Sequence, residues 1–401
     1  MNWSIWRTRL LFAALLFFGS EIILWTNLGN GERPQVTSAP LSALFETTSS
    51  ETRPEILFAS ADDARTPLDW LITLPGYVAL AALLLELAAR YRARSIFEAM
   101  ALTGIYGIAN GLLLNPTTAL VDVPRTLVTR AMGGHALVGL AMLALFLFIQ
   151  RVGAQRGRQA TTLYAALIFA ALVVGIFWGA WARWTPVDLW ARAETPLPTM
   201  LIAAGCAWTL VVALTIRRPN RAPPAPKAQG DNEPLADMAA AFRMSATSPP
   251  TMSRGGAPSA RLTRGEWAAC LMMLAALAVL RFAQGVIDGF SAAAVPLLIA
   301  YCLGVLYFRQ RKKGISFVEG DSPAGGALRT TLRLAGAGIV FLAASLIGYD
   351  LLRTPELIGT ASDPVAIMAV VFTAYGLVWL PCVSLVLGAR AFIKQARGFQ
   401  L

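Results

Sequence analysis

The chain is poor in the residues from which most active centres are built. It has one histidine, His135, and four cysteines in 401 residues. Zinc and iron–sulfur sites need several such ligands at short spacing. With no CxxC pair in the sequence, neither site is expected, and no metal or cofactor is assigned. No P-loop is present, and no cytoplasmic stretch is long and apolar enough to form a sizeable domain, which argues against ATP-driven chemistry. Paired carboxylates at a recognisable catalytic spacing are also missing, so no catalytic residue is nominated. Charge is scarce as well. Only 14% of residues are Asp, Glu, Lys or Arg, too few for a soluble globule.

What the chain has instead is apolar length. Hydrophobic residues make up 56% and the mean hydropathy is +0.58, the composition of a polytopic membrane protein. A bilayer core of roughly 30 Å takes about 20 residues of helix. Ten stretches qualify: 10–26, 70–89, 96–114, 132–150, 161–182, 197–216, 266–284, 290–308, 331–350 and 365–389. Their apolar runs are continuous, without the period-two alternation of barrel strands. The expected fold is an all-α transmembrane bundle of about ten helices. Cys206, Cys270, Cys302 and Cys382 all fall inside these stretches, where they pack as small apolar groups.

Basic residues give the orientation, because Lys and Arg resist translocation. Alternate connections are crowded with them: Arg7 and Arg9; Arg90, Arg92 and Arg94; Arg151, Arg156 and Arg158; Arg217 to Arg264; Arg309 to Arg333; Arg390, Lys394 and Arg397. These sites hold 25 of the 34 basic residues. The acidic residues Glu32, Glu46, Glu51, Glu55, Asp62, Asp63 and Asp69 gather in the first connection on the other side. Both termini are therefore expected in the cytoplasm, with the chain in the cell inner membrane. The net charge of +11 suits a cytoplasmic face against anionic lipid, so membrane lipids are the expected partners and nucleic acid is not. Arg7 and Arg9 before LLFAALLFFG resemble the start of a secretory signal, but no small-x-small site follows and IILW extends the run, so an uncleaved anchor is expected.

The organisation is then an anchor at 1–26, an extracytoplasmic loop at 27–69, a bundle at 70–218, a linker at 219–263 and a second bundle at 264–401. The linker, with PNRAPPAPKAQGDNEP and TSPPTMSRGGAPSA, is too poor in apolar residues to pack and reads as disordered. Four later hairpins, 96–150, 161–216, 266–308 and 331–389, each carry a small-xxx-small pair on the rising helix: Gly107 and Gly111, Gly175 and Gly179, Gly285 and Gly289, Ala344 and Gly348. Such pairs let helices approach closely in lipid. Repeated hairpins would place them so, and chance in a Gly- and Ala-rich chain would also do it.

Polar residues inside a bilayer mark function. Glu86 lies four residues before Arg90 and suits an interfacial i,i+4 pair, and Glu98 lies near the same end of the bundle. Glu21 and Arg281 lie near outer helix ends, where long side chains snorkel to the headgroups. The richest cluster lies between the third and fourth stretches: Tyr106, Asn110, Asn115, Asp122, Arg125, Arg130 and His135. The segment TTALVDVPRTLVTRAMGGHA suits a short helix in the membrane surface. Its Arg and His could grip a phosphate or carboxylate at an outer cavity. Asp122 and Arg125 could equally pair with each other.

The second feature is GIFWGAWARWTPVDLWARAETP, with Trp178, Trp181, Trp184 and Trp190. Tryptophan rings favour the headgroup level, so a membrane-interface belt is one reading. The run also resembles the Trp-rich outer loop of haem-handling cytochrome c assembly proteins, W-G-x-W-W-x-W-D-P-x-E. Trp178, Gly179, Trp181, Trp184 and Pro186 match, and Asp188 stands for the Glu. The resemblance covers about residues 135–216 and implies a role for His135 as the external histidine of that family. Ala182 replaces a Trp, Thr185 replaces the Asp, and no second histidine exists for axial ligation, so haem binding of that family's kind does not carry over.

Three classes follow. The first is a carrier or binder of an amphiphilic, anionic substrate. The second is a non-catalytic membrane subunit of a larger complex, with other membrane subunits as partners. The third is an outer-face enzyme on lipid-linked substrates, with Asp122 or His135 as base and Arg125 or Arg130 as phosphate clamp, or a degenerate haem-handling protein.

Overall fold

A computed structural model of the chain describes residues 3–24, 67–116, 126–152, 158–186, 192–194, 196–216, 261–283, 287, 289–310, 316, 327–351, 364–378 and 384–398. The helices are α1 (Trp3–Phe17), α2 (Pro67–Arg90), α3 (Ile96–Ala109), α4 (Ala136–Val152), α5 (Arg158–Arg183), α6 (Leu197–Thr215), α7 (Arg264–Ala283), α8 (Gly289–Arg309), α9 (Ala327–Leu351), α10 (Pro364–Ala374) and α11 (Ser384–Gly398). A small antiparallel hairpin of β1 (Trp184–Pro186) and β2 (Arg192–Glu194) follows α5, pairing Trp184 with Glu194. Among the described residues the fold is otherwise helical, as the continuous apolar runs require.

Among the described residues eight helices are long and apolar enough to cross a membrane, where the sequence predicts ten. The differences lie at the two ends of the chain. The first stretch is helical from Trp3, but it changes at Phe18 from α to π winding, which runs to Ile23. In the last stretch, predicted as one span over 365–389, the described residues are α10 with a π-wound continuation to Val378, and α11; 379–383 lie outside the described residues.

π-winding recurs. Asn110–Leu114 continues α3, and Leu127–His135 leads into α4. The amide of Asn115 bonds the carbonyl of Asn110 at 2.9 Å, and that of Leu24 the carbonyl of Gly19 at 3.1 Å. An i→i+5 ladder holds one extra residue per turn and re-aims the side chains around it, and such turns concentrate at functional sites. The predicted surface helix before His135 is therefore corrected. Residues 126–135 are wound into the span of α4, and 117–125 lie outside the described residues.

Packing differs from helix to helix. Gly175 and Gly179 of α5 lie against the backbone of α9 at Phe341 and Ser345, and Gly348 of α9 lies against the Ile176 carbonyl. A Cβ at Gly179 or Gly348 would run into those carbonyls, so two of the predicted small-residue pairs form one tight seam. Gly107 similarly seats the turn at Ala131 and Ala136, whereas Gly289 has no close neighbour. Gly133 and Gly376 bring the π-turn before α4 against the end of α10.

At the end of the bundle that carries most of the basic residues, the linker's last residues are pinned. Arg9 reaches the Arg261 carbonyl at 3.4 Å and Glu266 at 3.3 Å, and Trp6 donates to Glu266 at 2.9 Å. Glu86 accepts the Leu262 amide at 2.7 Å. The predicted Glu86–Arg90 pair is thereby overturned: Glu86 is buried beneath residue 262, and Arg90 is exposed. Glu98 closes a capping box with Ser95 at the start of α3 and meets Arg309 at 3.7 Å. The rest of the predicted linker, 219–260, lies outside the described residues.

Candidate functional site

The π-turns of α1, α3 and α4 carry their polar side chains into one buried cluster. Glu21 stands in the first of them, fully buried. Its Oε1 accepts the Tyr77 hydroxyl of α2, and Asn115 Nδ2 donates to the same oxygen at 3.1 Å. Asn115 also donates to Asn110 Oδ1 at 2.7 Å and lies 3.3 Å from the Tyr77 hydroxyl. Asn110 Nδ2 in turn donates to Tyr77 at 3.2 Å and Tyr106 at 3.1 Å. The Tyr106 hydroxyl donates to the Leu16 carbonyl at 3.2 Å, just before the π-turn of α1, and bonds Ser20. Ser20 Oγ lies 2.8 Å from His135 Nδ1. His135, Ser20, Tyr106, Asn110, Tyr77 and Glu21 are thus joined in sequence, and Asn115 braces the far end.

Burial makes this arrangement costly to build without a use. An unpaired polar group in hydrocarbon loses several kcal/mol, and a lone carboxylate far more. Among the hydrogen bonds that reach Glu21 are those from a tyrosine and an amide. Two amides, two phenols and an imidazole make up the rest of the cluster. The set suits proton exchange and the binding of a small polar or anionic group.

The helix ends around the cluster are closed by side chains from neighbouring helices. The last carbonyls of a helix have no partner within it. Trp178 donates its indole N–H to Ile22 at 2.6 Å, and Trp181, one turn later on the same face of α5, donates to Leu24 at 3.1 Å. Arg281 donates to the Leu113 carbonyl at 3.2 Å. Arg183 donates to the Tyr349 carbonyl at 2.8 Å and lies over that ring.

Several sequence expectations change accordingly. Glu21 does not snorkel; it points into the bundle because Tyr77 and Asn115 hold it there. Arg281 caps the end of the α3 π-turn. Trp178 and Trp181 are buried and bonded to α1, so an interfacial belt is not their role. His135 is also buried, with Nδ1 against the Ser20 hydroxyl. Of the predicted site residues, the fold brings Asn110, Asn115 and His135 together. Arg130 sits half-buried on the π-turn before α4 and is not part of the bonding described above. Asp122 and Arg125 lie outside the described residues, as do the side chains of Trp184 and Trp190.

Ser20 and Tyr77 belong to the cluster without having been nominated. Glu21 carried a usable signal, an acid within an apolar run. Tyr77 carried none, since a tyrosine in such a run reads as one more apolar residue. No family model, curated protein or solved structure matches this chain.

Proposed function

We propose that the chain is a multi-pass carrier of the cell inner membrane that couples movement of an amphiphilic, anionic substrate to a proton held at Glu21. The observation that supports it most is the fully buried Glu21 carboxylate, held by Tyr77 and Asn115 at a junction of π-wound helices. A proton on Glu21 removes the one negative charge of the cluster. The amide and hydroxyl donors that faced the carboxylate can then turn to an incoming anion, and loss of the proton expels it. Proton and anion would travel together on this scheme. In the proposed topology the eight long helices, the α1 helix with its π-turn, and the α10–α11 pair make ten crossings with both termini in the cytoplasm.

The test is infrared difference spectroscopy of the purified protein in lipid, combined with proton uptake by proteoliposomes offered fatty acids and lysophospholipids. A protonated-carboxyl band that titrates in the parent protein and vanishes in Glu21→Gln, together with loss of substrate-driven proton uptake, is the expected result. Parent and variant with identical spectra and fluxes would refute the carrier reading.

A second reading is favoured by one specific observation. Every side chain of the cluster is at most 2% exposed, as in a polar network that only fixes helix register. The protein would then be a non-catalytic subunit of a larger membrane complex, and it should co-purify with fixed partners in mild detergent.

A further inference from the structure

At the opposite end of the bundle from the Trp178 and Trp181 caps, a groove opens between α4, α5 and α9. It is shallow and lined by Phe148, Ile149, Tyr164, Leu167, Leu334, Thr330 and Arg333. Its walls are aromatic and aliphatic, and one cation stands at the opening. Arg333 lies half-buried with its guanidinium over the Tyr164 ring, 5.5 Å from the centroid. Among the described residues no acceptor meets its N–H groups. A guanidinium held beside a ring at an apolar groove, with no acceptor among the described residues, is arranged for an external anion.

We propose that this groove is a binding site for an anionic phospholipid, one acyl chain lying along Phe148, Ile149, Leu167 and Leu334 and the headgroup phosphate meeting Arg333. Three observations converge on this occupant. The groove opens on α5, whose outer face exposes Phe169, Leu172 and Val173 to surroundings that must be apolar. It lies within the first two turns of α9, which carry Arg329 and Arg333 and no acidic residue. The guanidinium also offers the bidentate geometry that a phosphate accepts. Basic pockets between spanning helices take lipid headgroups for these reasons. The site is separate from the Glu21 cluster and does not depend on the carrier reading.

Native mass spectrometry of the full chain in detergent, with added phosphatidylglycerol or phosphatidylcholine, tests it. The parent protein is expected to retain phosphatidylglycerol about five- to tenfold better. Arg333→Gln should remove that preference and leave phosphatidylcholine retention unchanged. Leu167→Trp, which fills the groove, should lower retention of both lipids. Arg329→Gln, an exposed charge on the same helix outside the groove, should change nothing, and unaltered elution on size exclusion confirms folding of each variant. The proposal is overturned if Arg333→Gln keeps the preference, if Arg329→Gln loses it equally, or if millimolar inorganic phosphate displaces the lipid.

Discussion

Helices α1 to α4 and helices α5 to α9 solve the same problem, burial in an apolar medium, by opposite means. In the first group the burial of charged, amide and imidazole side chains is concentrated: Arg9, Glu21, Glu86, Glu98, Asn110, Asn115 and His135 are all buried there. Beyond α4 the buried polar side chains among the described residues are hydroxyls only, at Ser291, Ser316, Thr330, Thr331 and Ser345. Exposure runs the other way. The α3 span is 83% buried and the α7 span 11%, and of the exposed large apolar residues among those described only Ile96 precedes α5. One region is a core held by specific hydrogen bonds. The other is a shell joined by close backbone approach, with large apolar side chains turned outward. Function in a membrane protein concentrates where polar groups are retained against their desolvation cost, and the core is where this chain retains them.

The sharpest way to break that comparison is to remove the acid from the core. Glu21→Leu takes from the Tyr77 hydroxyl its Glu21 acceptor and leaves Asn115 Nδ2 to Asn110 and Tyr77 alone, at about 1–3 kcal/mol for an orphaned buried group. The variant should lose about 2–3 kcal/mol in a detergent thermal melt. Glu21→Gln keeps an oxygen in place and should cost about 1 kcal/mol. Equal melting of the two variants would show that the cluster has no acceptor requirement.

In the shell the corresponding attack is steric. Gly179→Val pushes a branched side chain into the Ser345 carbonyl and forces α5 from α9, an overpacking cost of about 1–3 kcal/mol. Gly205→Ala, whose new methyl would meet Leu342 only at ordinary contact distance, should shift the melt by less than about 0.5 kcal/mol. Similar shifts for the two would mean that backbone approach is not what joins these helices.

These two tests also mark how much could be read from the sequence. The helices were legible because each is a long apolar run, and the small residues of the α5–α9 seam because they keep a four-residue spacing, though that spacing does not say which helices they join. Asn110, Asn115 and His135 were legible as polar residues clustered in an apolar neighbourhood. Glu21 and Trp178 were misread for a shared physical reason. Composition places a residue along the membrane normal, but it does not say which way a helix is turned. A carboxylate or indole near a helix end can face headgroups or a neighbouring helix, and only the neighbour decides. π-winding has no compositional signature either, yet in α1, α3 and α4 it sets the turn of Ser20, Glu21, Asn110 and His135.

A smaller effect is expected where core and shell meet. Trp178→Phe preserves most of the ring packing against Phe341 but leaves the Ile22 carbonyl without its donor. About 1–2 kcal/mol should be lost in the melt. Trp181→Phe should cost a similar amount through Leu24. If α1 is the element destabilised, hydrogen exchange will quicken at the amides around Glu21 and leave those of α9 unchanged. Uniform quickening would place these two tryptophans in the shell.

The smallest effect belongs to the lipid-facing surface, and it is the most informative about assembly. Val279 of α7 is 70% exposed, while Leu277, two residues before it, is buried. Val279→Ala removes two methyl groups that no described side chain encloses, so the melt should move by no more than about 0.5 kcal/mol. The reasoning holds only while lipid or detergent covers α7, since either replaces the lost contact with more of itself. A loss of 1 kcal/mol or more at Val279 would mean that a protein surface packs there. The shell would then be an interface whose partner is missing from the isolated chain, and the subunit reading would gain over the carrier.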